Sequence, residues 1–168
     1  MSPPRGVRPV PPRPGQESVW DYPRPPRVDR SSAHVVIEFD GRVIADTRAA
    51  LRVLETSHPP VFYVPRADIV DGVLEESPRS SYCEFKGESR YVHVSSGNRR
   101  EIDAGWHYPS PRPAYRALVD HVAFYPGRMD RCLVDGEEVQ PQVGGFYGGW
   151  VTSSVVGPFK GGPGTFGW

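Results

Sequence analysis

The chain has 168 residues, the length of one ordinary domain with tails, and such a length buries a sizeable core without help from a metal or a disulfide. Its formal net charge is zero, so it lacks the overall basic field that supplies most non-specific affinity for nucleic acid, and we expect no nucleic-acid partner. Because the sequence has neither a run of about 18 apolar residues nor an apolar signal segment, we also expect no membrane partner and a cytoplasmic location.

The ends of the chain differ in composition from the middle. Residues 1–18 are rich in Pro and Arg, a composition that cannot bury enough surface to offset the entropy of ordering, so we predict a disordered tail. Val19, Trp20 and Tyr22 are expected to dock on the core as the tail enters it. Residues 19–142 are predicted to form one β domain. Residues 143–168, here called the strap, set aromatic residues among glycines, which favours an ordered segment packed on a surface in its first half at least.

The strongest local signal is Asp40-Gly41, because Gly supplies the positive φ of a type I′ turn and β-rich runs flank it; this predicts a hairpin over 35–45. Residues 47–55 fit either a short helix or a strand, and 66–74 predict a helical turn followed by a loop. Further strands are predicted over 61–65, 80–86, 89–94, 102–108, 115–125, 131–134 and 137–139. The spacing indicates a mainly β fold of antiparallel hairpins with one or two short helices.

The predicted hairpin with its turn at Gly87-Glu88 carries the best candidate site. Strand alternation puts Lys86 on one face, with Tyr82 and Glu84, and Cys83 on the other. A site that uses Lys86 is therefore expected to leave Cys83 in the core. Tyr91 and His93 share a face of the partner strand, and cross-strand pairing is expected to bring them beside Lys86.

Several short motifs occur in the order in which a known bacterial family has them. They are Asp40-Gly41, Ala45-Asp46-Thr47, Val53-Leu54-Glu55-Thr56, Pro59-Pro60, Tyr63-Val64-Pro65 with Asp68, Cys83-Glu84-Phe85-Lys86-Gly87 with Tyr91, Trp106-His107-Tyr108-Pro109, Ala123-Phe124-Tyr125 and Gly148-Gly149-Trp150. In these motifs the sequence resembles the domain-of-unknown-function family 427 (DUF427), also labelled nucleotidyltransferase-like. The resemblance implies a fold similar to the β-tent, in which two small antiparallel sheets meet at an angle and enclose a pocket.

Metal chemistry finds little support in the sequence. Other β-tent proteins often hold zinc between two cysteine pairs, but Cys83 and Cys132 are the two cysteines here and lie far apart. Nucleotidyl transfer usually needs paired carboxylates that hold a divalent metal, and no Asp-x-Asp pair lies near a Gly-Ser turn. We expect no metal and no cofactor.

Lys86 and Lys160 are the two lysines of a chain whose other basic residues are arginines, and each lies in the tripeptide Phe-Lys-Gly. A lysine here indicates a place where a compact ammonium is preferred to a planar guanidinium. We hypothesise that Lys86 is a ligand-binding ammonium or forms a catalytic, proton-transferring pair with Glu55; a structural salt bridge at a hairpin end is the alternative. Lys160 lies in a Gly-Pro-rich segment that no helix follows, so we expect a strap or an oligomer contact there and no phosphate loop.

An aromatic wall completes the predicted site. Trp106 and Tyr108 lie on one face of a predicted strand, and with Tyr63 and Tyr91 they are placed to stack on a planar ligand; packing in the core is the alternative. Three functions remain open: a small-ligand-binding β module, an enzyme acting on a nucleotide or phosphate compound, and a protein-interaction module. The sequence does not decide whether the chain is an enzyme, what its ligand is, or whether it forms oligomers.

Overall fold

The computed structural model describes residues 2–168, which form short strands and four 3₁₀ segments. The strands are β1 (Glu17–Ser18), β2 (Arg27–Arg30), β3 (Val35–Phe39), β4 (Arg42–Thr47), β5 (Leu51–Leu54), β6 (Val61–Pro65), β7 (Leu74–Cys83), β8 (Gly87–Ser96), β9 (Arg99–His107), β10 (His121–Phe124), β11 (Arg131–Val134), β12 (Glu137–Glu138), β13 (Gln140–Pro141), β14 (Trp150–Val151) and β15 (Val155–Val156). The 3₁₀ segments are Val19–Asp21, Arg66–Asp68, Pro113–Leu118 and Pro126–Arg128. No helix in the described part of the chain is long and apolar enough to cross a membrane.

Two large antiparallel sheets make up most of the fold. The first has seven strands in the order β2-β5-β6-β10-β9-β8-β7, and the second has four in the order β12-β11-β3-β4. Two further two-stranded sheets pair β1 with β15 and β13 with β14. The predicted fold class, mainly β with small antiparallel sheets, is confirmed, and the ambiguous segment 47–55 contains the strand β5.

The hairpin of β3 and β4 forms as predicted. Phe39 pairs with Arg42, so Asp40 and Gly41 are the two turn residues, with φ values of 52° and 74°. Positive φ at both central positions is the geometry of a type I′ turn, whose twist matches that of the strands.

The core lies between the two large sheets. Its members are buried side chains that include Val35, Ile37, Phe39, Ile44, Phe62, Val64, Val92, Val94, Val122, Phe124 and Trp150. Because side chains alternate along a strand, Phe62 and Val64 of β6 enter this core, whereas Tyr63 lies on the opposite face of the seven-stranded sheet. That outer face carries the candidate site.

Two predicted elements were wrong. The strand predicted over 115–125 begins only at His121, because Pro113 opens the 3₁₀ segment before it and a proline has no backbone N–H to give to a ladder. The second hairpin does not turn at Gly87-Glu88. Cys83 pairs with Gly87, so the three residues Glu84, Phe85 and Lys86 form the loop, and Gly87, with a φ of 105°, closes it.

The two ends of the chain contact each other. Glu17 pairs with Val155, and the backbone N–H of Val10 donates a hydrogen bond to Gly157 O at 2.8 Å. Val19 and Trp20 are buried beside Leu54, as expected for residues that dock the tail, and Tyr22 belongs to the same cluster. The predicted domain limits and the predicted disorder of residues 1–18 stay predictions.

Candidate functional site

A row of directly opposite residues crosses the outer face of the seven-stranded sheet. Leu51 of β5 pairs with Tyr63 of β6, Tyr63 with Ala123 of β10, Ala123 with Trp106 of β9, and Trp106 with Tyr91 of β8. Opposite residues share a face of the sheet, so the pairing brings Tyr63, Trp106 and Tyr91 together. Ala123 is small enough for the rings on either side to meet over it: Trp106 Nε1 donates a hydrogen bond to Tyr63 Oη at 3.1 Å.

A cavity of about 990 Å³ opens above this row. All six residues predicted from the sequence line it: Glu55, Tyr63, Lys86, Tyr91, Trp106 and Tyr108. We call this space the aromatic cavity. Part of the strap forms its other side, where Gly148 packs so closely on the Trp106 ring that a side chain at this position would overlap the indole.

The wall of the aromatic cavity is built from tyrosine and tryptophan rings in contact. The ring centroids of Tyr63 and Tyr108 are 6.5 Å apart, and those of Trp106 and Tyr125 are 4.7 Å apart. Burial raises the pKa values of the Tyr63 and Tyr108 phenols, and burial, followed by the interaction with the neighbouring Tyr91 phenol, raises the pKa of Tyr125 to about 12. These three phenols are therefore neutral near pH 7.

Lys86 is buried beside this wall, with 8% of its surface exposed. Its Nζ lies 5.7 Å from the centroid of the Tyr108 ring, a distance suited to a cation–π contact. No carboxylate within residues 2–168 forms a salt bridge with this ammonium, and the residue lines the aromatic cavity. The backbone of Lys86 is fixed, because its carbonyl accepts a hydrogen bond from Arg112 N at 2.9 Å.

Glu55 lines the cavity but does not pair with Lys86. Arg24 Nε donates to Glu55 Oε2 at 3.1 Å, and the same guanidinium donates to Thr56 O at 2.6 Å. The structure therefore does not bring Lys86 and Glu55 into a salt bridge, since a guanidinium from the segment before β2 pairs with the carboxylate. A catalytic role for the two residues stays a prediction. The sequence carried no signal for this contact between distant positions.

The predicted separation of Cys83 from Lys86 was also wrong. Both side chains line the aromatic cavity, and Cys83 is partly buried against the cluster that contains Tyr63 and Tyr108. Alternation of faces holds only within a strand, and Lys86 lies in the loop after β7. Cys83 thus contributes a free thiol to the cavity.

Tyr91 and His93 do not lie together beside Lys86. Tyr91 Oη is 3.1 Å from Ser81 Oγ, so its partner on β7 is Ser81 and not Tyr82 or Glu84. The pairing of β8 with β9 shifts between Val92 and Val94, and His93 Nδ1 accepts a hydrogen bond from Asp103 N at 3.0 Å. A β-bulge of this kind re-aims side chains and has no reliable mark in a single sequence.

Sequence reasoning missed several polar residues of the cavity, among them His58, Gln142 and Lys160. Gln142 Nε2 donates to His58 Nδ1 at 3.2 Å and to Lys160 O at 2.7 Å, while Gln142 Oε1 accepts from Gly149 N at 3.1 Å. Because Nδ1 accepts, neutral His58 carries its proton on Nε2. The repeated Phe-Lys-Gly tripeptide was the one signal that could have linked Lys160 to Lys86.

Burial lowers the pKa of His58 to about 3, with smaller contributions from the positive charges of Lys160, Arg24 and Lys86. The imidazole is therefore uncharged at neutral pH. Across residues 2–168, no three His, Cys, Asp or Glu side chains cluster in a way that would hold a metal ion. The cavity offers ammonium groups, a neutral imidazole, a thiol and a set of aromatic rings.

Residues 27–135 match the family model described as a domain of unknown function, DUF427. The matched segment contains all six predicted site residues together with His58, and it ends before Gln142 and Lys160. No curated protein gives a significant match to the chain. Because the match covers well over half of the chain, the protein belongs to the DUF427 family.

Proposed function

We propose that the protein binds a small, ring-bearing molecule in the aromatic cavity. The observation that carries this proposal is Lys86, a residue with 8% of its surface exposed that lines the cavity, forms no salt bridge within residues 2–168 and lies beside a wall of neutral rings. A basic group that lines a cavity and forms no salt bridge with the protein is available to an acceptor group of a ligand.

The size and lining of the cavity support this proposal. Pockets for small molecules typically enclose about 300 to 1,000 Å³ and combine an apolar lining with a few polar groups that fix orientation. The aromatic cavity has about 990 Å³, with Tyr63, Trp106 and Tyr108 as ring contacts and Lys86 as the polar anchor. Glu55, held by Arg24, is an acceptor on the same surface and can orient a donor group of the ligand.

A second candidate is an enzyme that acts on a nucleotide or another phosphate compound. It is favoured by the basic residues that line the cavity, since Arg79, Arg128 and Lys160 join Lys86 there. The third candidate, a protein-interaction module, is favoured by the apolar side chains that the strap exposes, Val143 and Phe146. A cytoplasmic location, and partners that include neither nucleic acid nor membrane, belong to the proposal as predictions from composition.

A thermal-shift screen of nucleotides and small metabolites tests the proposed function. A ligand that binds the folded state at concentrations well above its Kd raises the melting temperature of the wild type. Lys86→Ala is expected to lose that shift. Arg90→Ala is the matched control, because Arg90 lies on the same hairpin but is exposed and pairs with Glu88 outside the cavity. Absence of any shift across the screen would contradict the proposal and favour an interaction module.

A further inference from the structure

The two lysines of the chain line the same cavity, although they come from different parts of the sequence. Lys86 lies in the loop between β7 and β8, within the segment that matches the family, and Lys160 lies in the strap. Each ammonium lies near a tyrosine ring: Lys86 Nζ is 5.7 Å from the centroid of Tyr108, and Lys160 Nζ is 5.6 Å from that of Tyr147.

His58 lines the same cavity as the two lysines and lies beside the strap. Its ring packs edge-on against Tyr147, with centroids 4.8 Å apart, and Gln142 holds its Nδ1 as an acceptor, so that Nε2 keeps a hydrogen to donate. The positive charges of both lysines help to lower the pKa of His58, so both ammonium groups lie within electrostatic reach of this one ring.

The side-chain carboxylates that line the cavity form no salt bridge with either lysine. Glu55 pairs with Arg24, and its Oε2 is 3.9 Å from His58 Nε2, too far for a hydrogen bond. Asp103 lies 3.7 Å from Arg79, and Glu84 is exposed in the loop. Lys160 Nζ donates one hydrogen bond, to Trp168 O at 3.0 Å, and keeps two further N–H groups.

We propose that Lys86, Lys160 and His58 form an anion subsite that binds the carboxylate or phosphate group of the ring-bearing ligand. This proposal rests on the proposed function and adds the class of ligand. The proposed subsite also makes the strap part of the binding site, because Lys160 belongs to the strap. Gln142, the residue directly before the strap, positions His58.

Titration calorimetry with three probes of one ring system tests the subsite: 2-naphthol, 2-naphthoate and 2-naphthyl phosphate. We expect both anions to bind the wild type at least about tenfold more tightly than 2-naphthol, the amount that one charge-assisted hydrogen bond contributes. The anion that binds more tightly shows whether the subsite prefers a carboxylate or a phosphate group. In Lys160→Met the anions should lose about tenfold in affinity, whereas the Kd of 2-naphthol should not change.

Arg128→Met is the matched control. Arg128 also lines the cavity, but its guanidinium is engaged by Glu101 at 3.3 Å and by Ile102 O at 2.9 Å, so we expect no change in anion affinity. An equal loss in this variant would overturn the subsite in favour of a general positive field.

The possible failures are distinguishable. Equal Kd values for the three probes would overturn the anion subsite and leave ring binding in place, whereas no binding of any probe would overturn both proposals. Should Lys160→Met fail to fold, Lys86→Met leaves the strap intact and should give the same tenfold loss for the anions; an unchanged Kd in Lys86→Met would overturn the subsite.

Discussion

Cys83 pairs with Gly87 across the tip of the β7–β8 hairpin. The strand therefore ends at Cys83, and Lys86 lies in the three-residue loop that joins the pair. As a result the thiol and the ammonium line one cavity, instead of lying on opposite faces of a longer strand.

This arrangement makes Cys83 a chemical reporter of the cavity. Cys132 is buried in the main core, and burial raises the pKa of its thiol, so it should resist alkylation until the protein unfolds. We expect N-ethylmaleimide to modify the native protein at Cys83 alone, as read by peptide mass spectrometry, and the adduct to block binding of 2-naphthoate.

Cys83→Ser is the control for this experiment, since it removes the thiol and should remain unmodified while it binds the probe. A protein fully modified at Cys83 that binds 2-naphthoate with an unchanged Kd would show that the probe does not occupy the aromatic cavity.

Replacing Lys86 should separate binding from stability. Lys86→Met removes an ammonium that forms no salt bridge within residues 2–168, so the free energy of unfolding should change by less than about 1 kcal/mol. Arg52→Met is the contrast, because Arg52 donates to Glu17 Oε1 at 2.8 Å, and its loss should cost about 1 to 2 kcal/mol. Urea denaturation measures both. A Lys86→Met variant destabilised by more than about 1 kcal/mol would show that Lys86 mainly supports the fold.

His58 should make stability depend on pH. In the unfolded chain this imidazole binds a proton as the pH falls through about 6.5, but in the folded protein its pKa is about 3. Between these two pH values the unfolded chain binds a proton at His58 and the folded protein does not. The contribution of neutral His58 to the stability of the folded state is therefore complete above pH 6.5 and is lost as the pH falls towards 3. The contribution of His58 should approach a slope of about 1.4 kcal/mol per pH unit.

Urea denaturation at several pH values measures this slope in the wild type and in His58→Gln. The variant should lack the contribution of His58 to the slope. His121→Gln is the control, since His121 is only partly buried and its ring contacts Val119 O near the surface. Equal slopes for wild type and His58→Gln would contradict a buried, neutral His58.

The strap should depend on the absence of a side chain at Gly148. In Gly148→Ala the new Cβ would overlap Trp106 Cη2 and lie 2.8 Å from Cζ3, so the strap or the indole must move. We expect a loss of about 1 to 3 kcal/mol in the free energy of unfolding and a change in tryptophan fluorescence.

Gly162→Ala is the matched control within the strap, because its Cβ would meet nothing closer than Val143 Cγ1 at 3.9 Å. A Gly148→Ala protein as stable as this control would contradict the close packing of the strap on Trp106.

Local signals predicted much of the fold and part of the site. Asp40-Gly41 determined its hairpin because a two-residue turn is encoded by the residues within it. The aromatic residues Tyr63, Trp106 and Tyr91 were identified by type, and the sheet register brought them into one row.

The rest of the site depends on contacts between distant segments. Arg24 reaches Glu55, and Gln142 joins His58 to the backbone of Lys160, across separations for which a single sequence gives no pairing signal. The error at Cys83 had a local cause: Gly87 ends its loop, whereas the pattern placed it at the centre of a turn.

The most direct test of the central claim follows the indole N–H resonances of the four tryptophans by NMR while 2-naphthoate is added. The N–H of Trp106 donates to Tyr63 Oη in the cavity wall, whereas that of Trp150 donates to Phe124 O in the main core and that of Trp20 to Pro158 O. We predict that the Trp106 resonance shifts in a saturable way while those of Trp150 and Trp20 stay in place. A Trp106 resonance that does not move, or that moves no more than those of Trp150 and Trp20, would contradict ligand binding in the aromatic cavity.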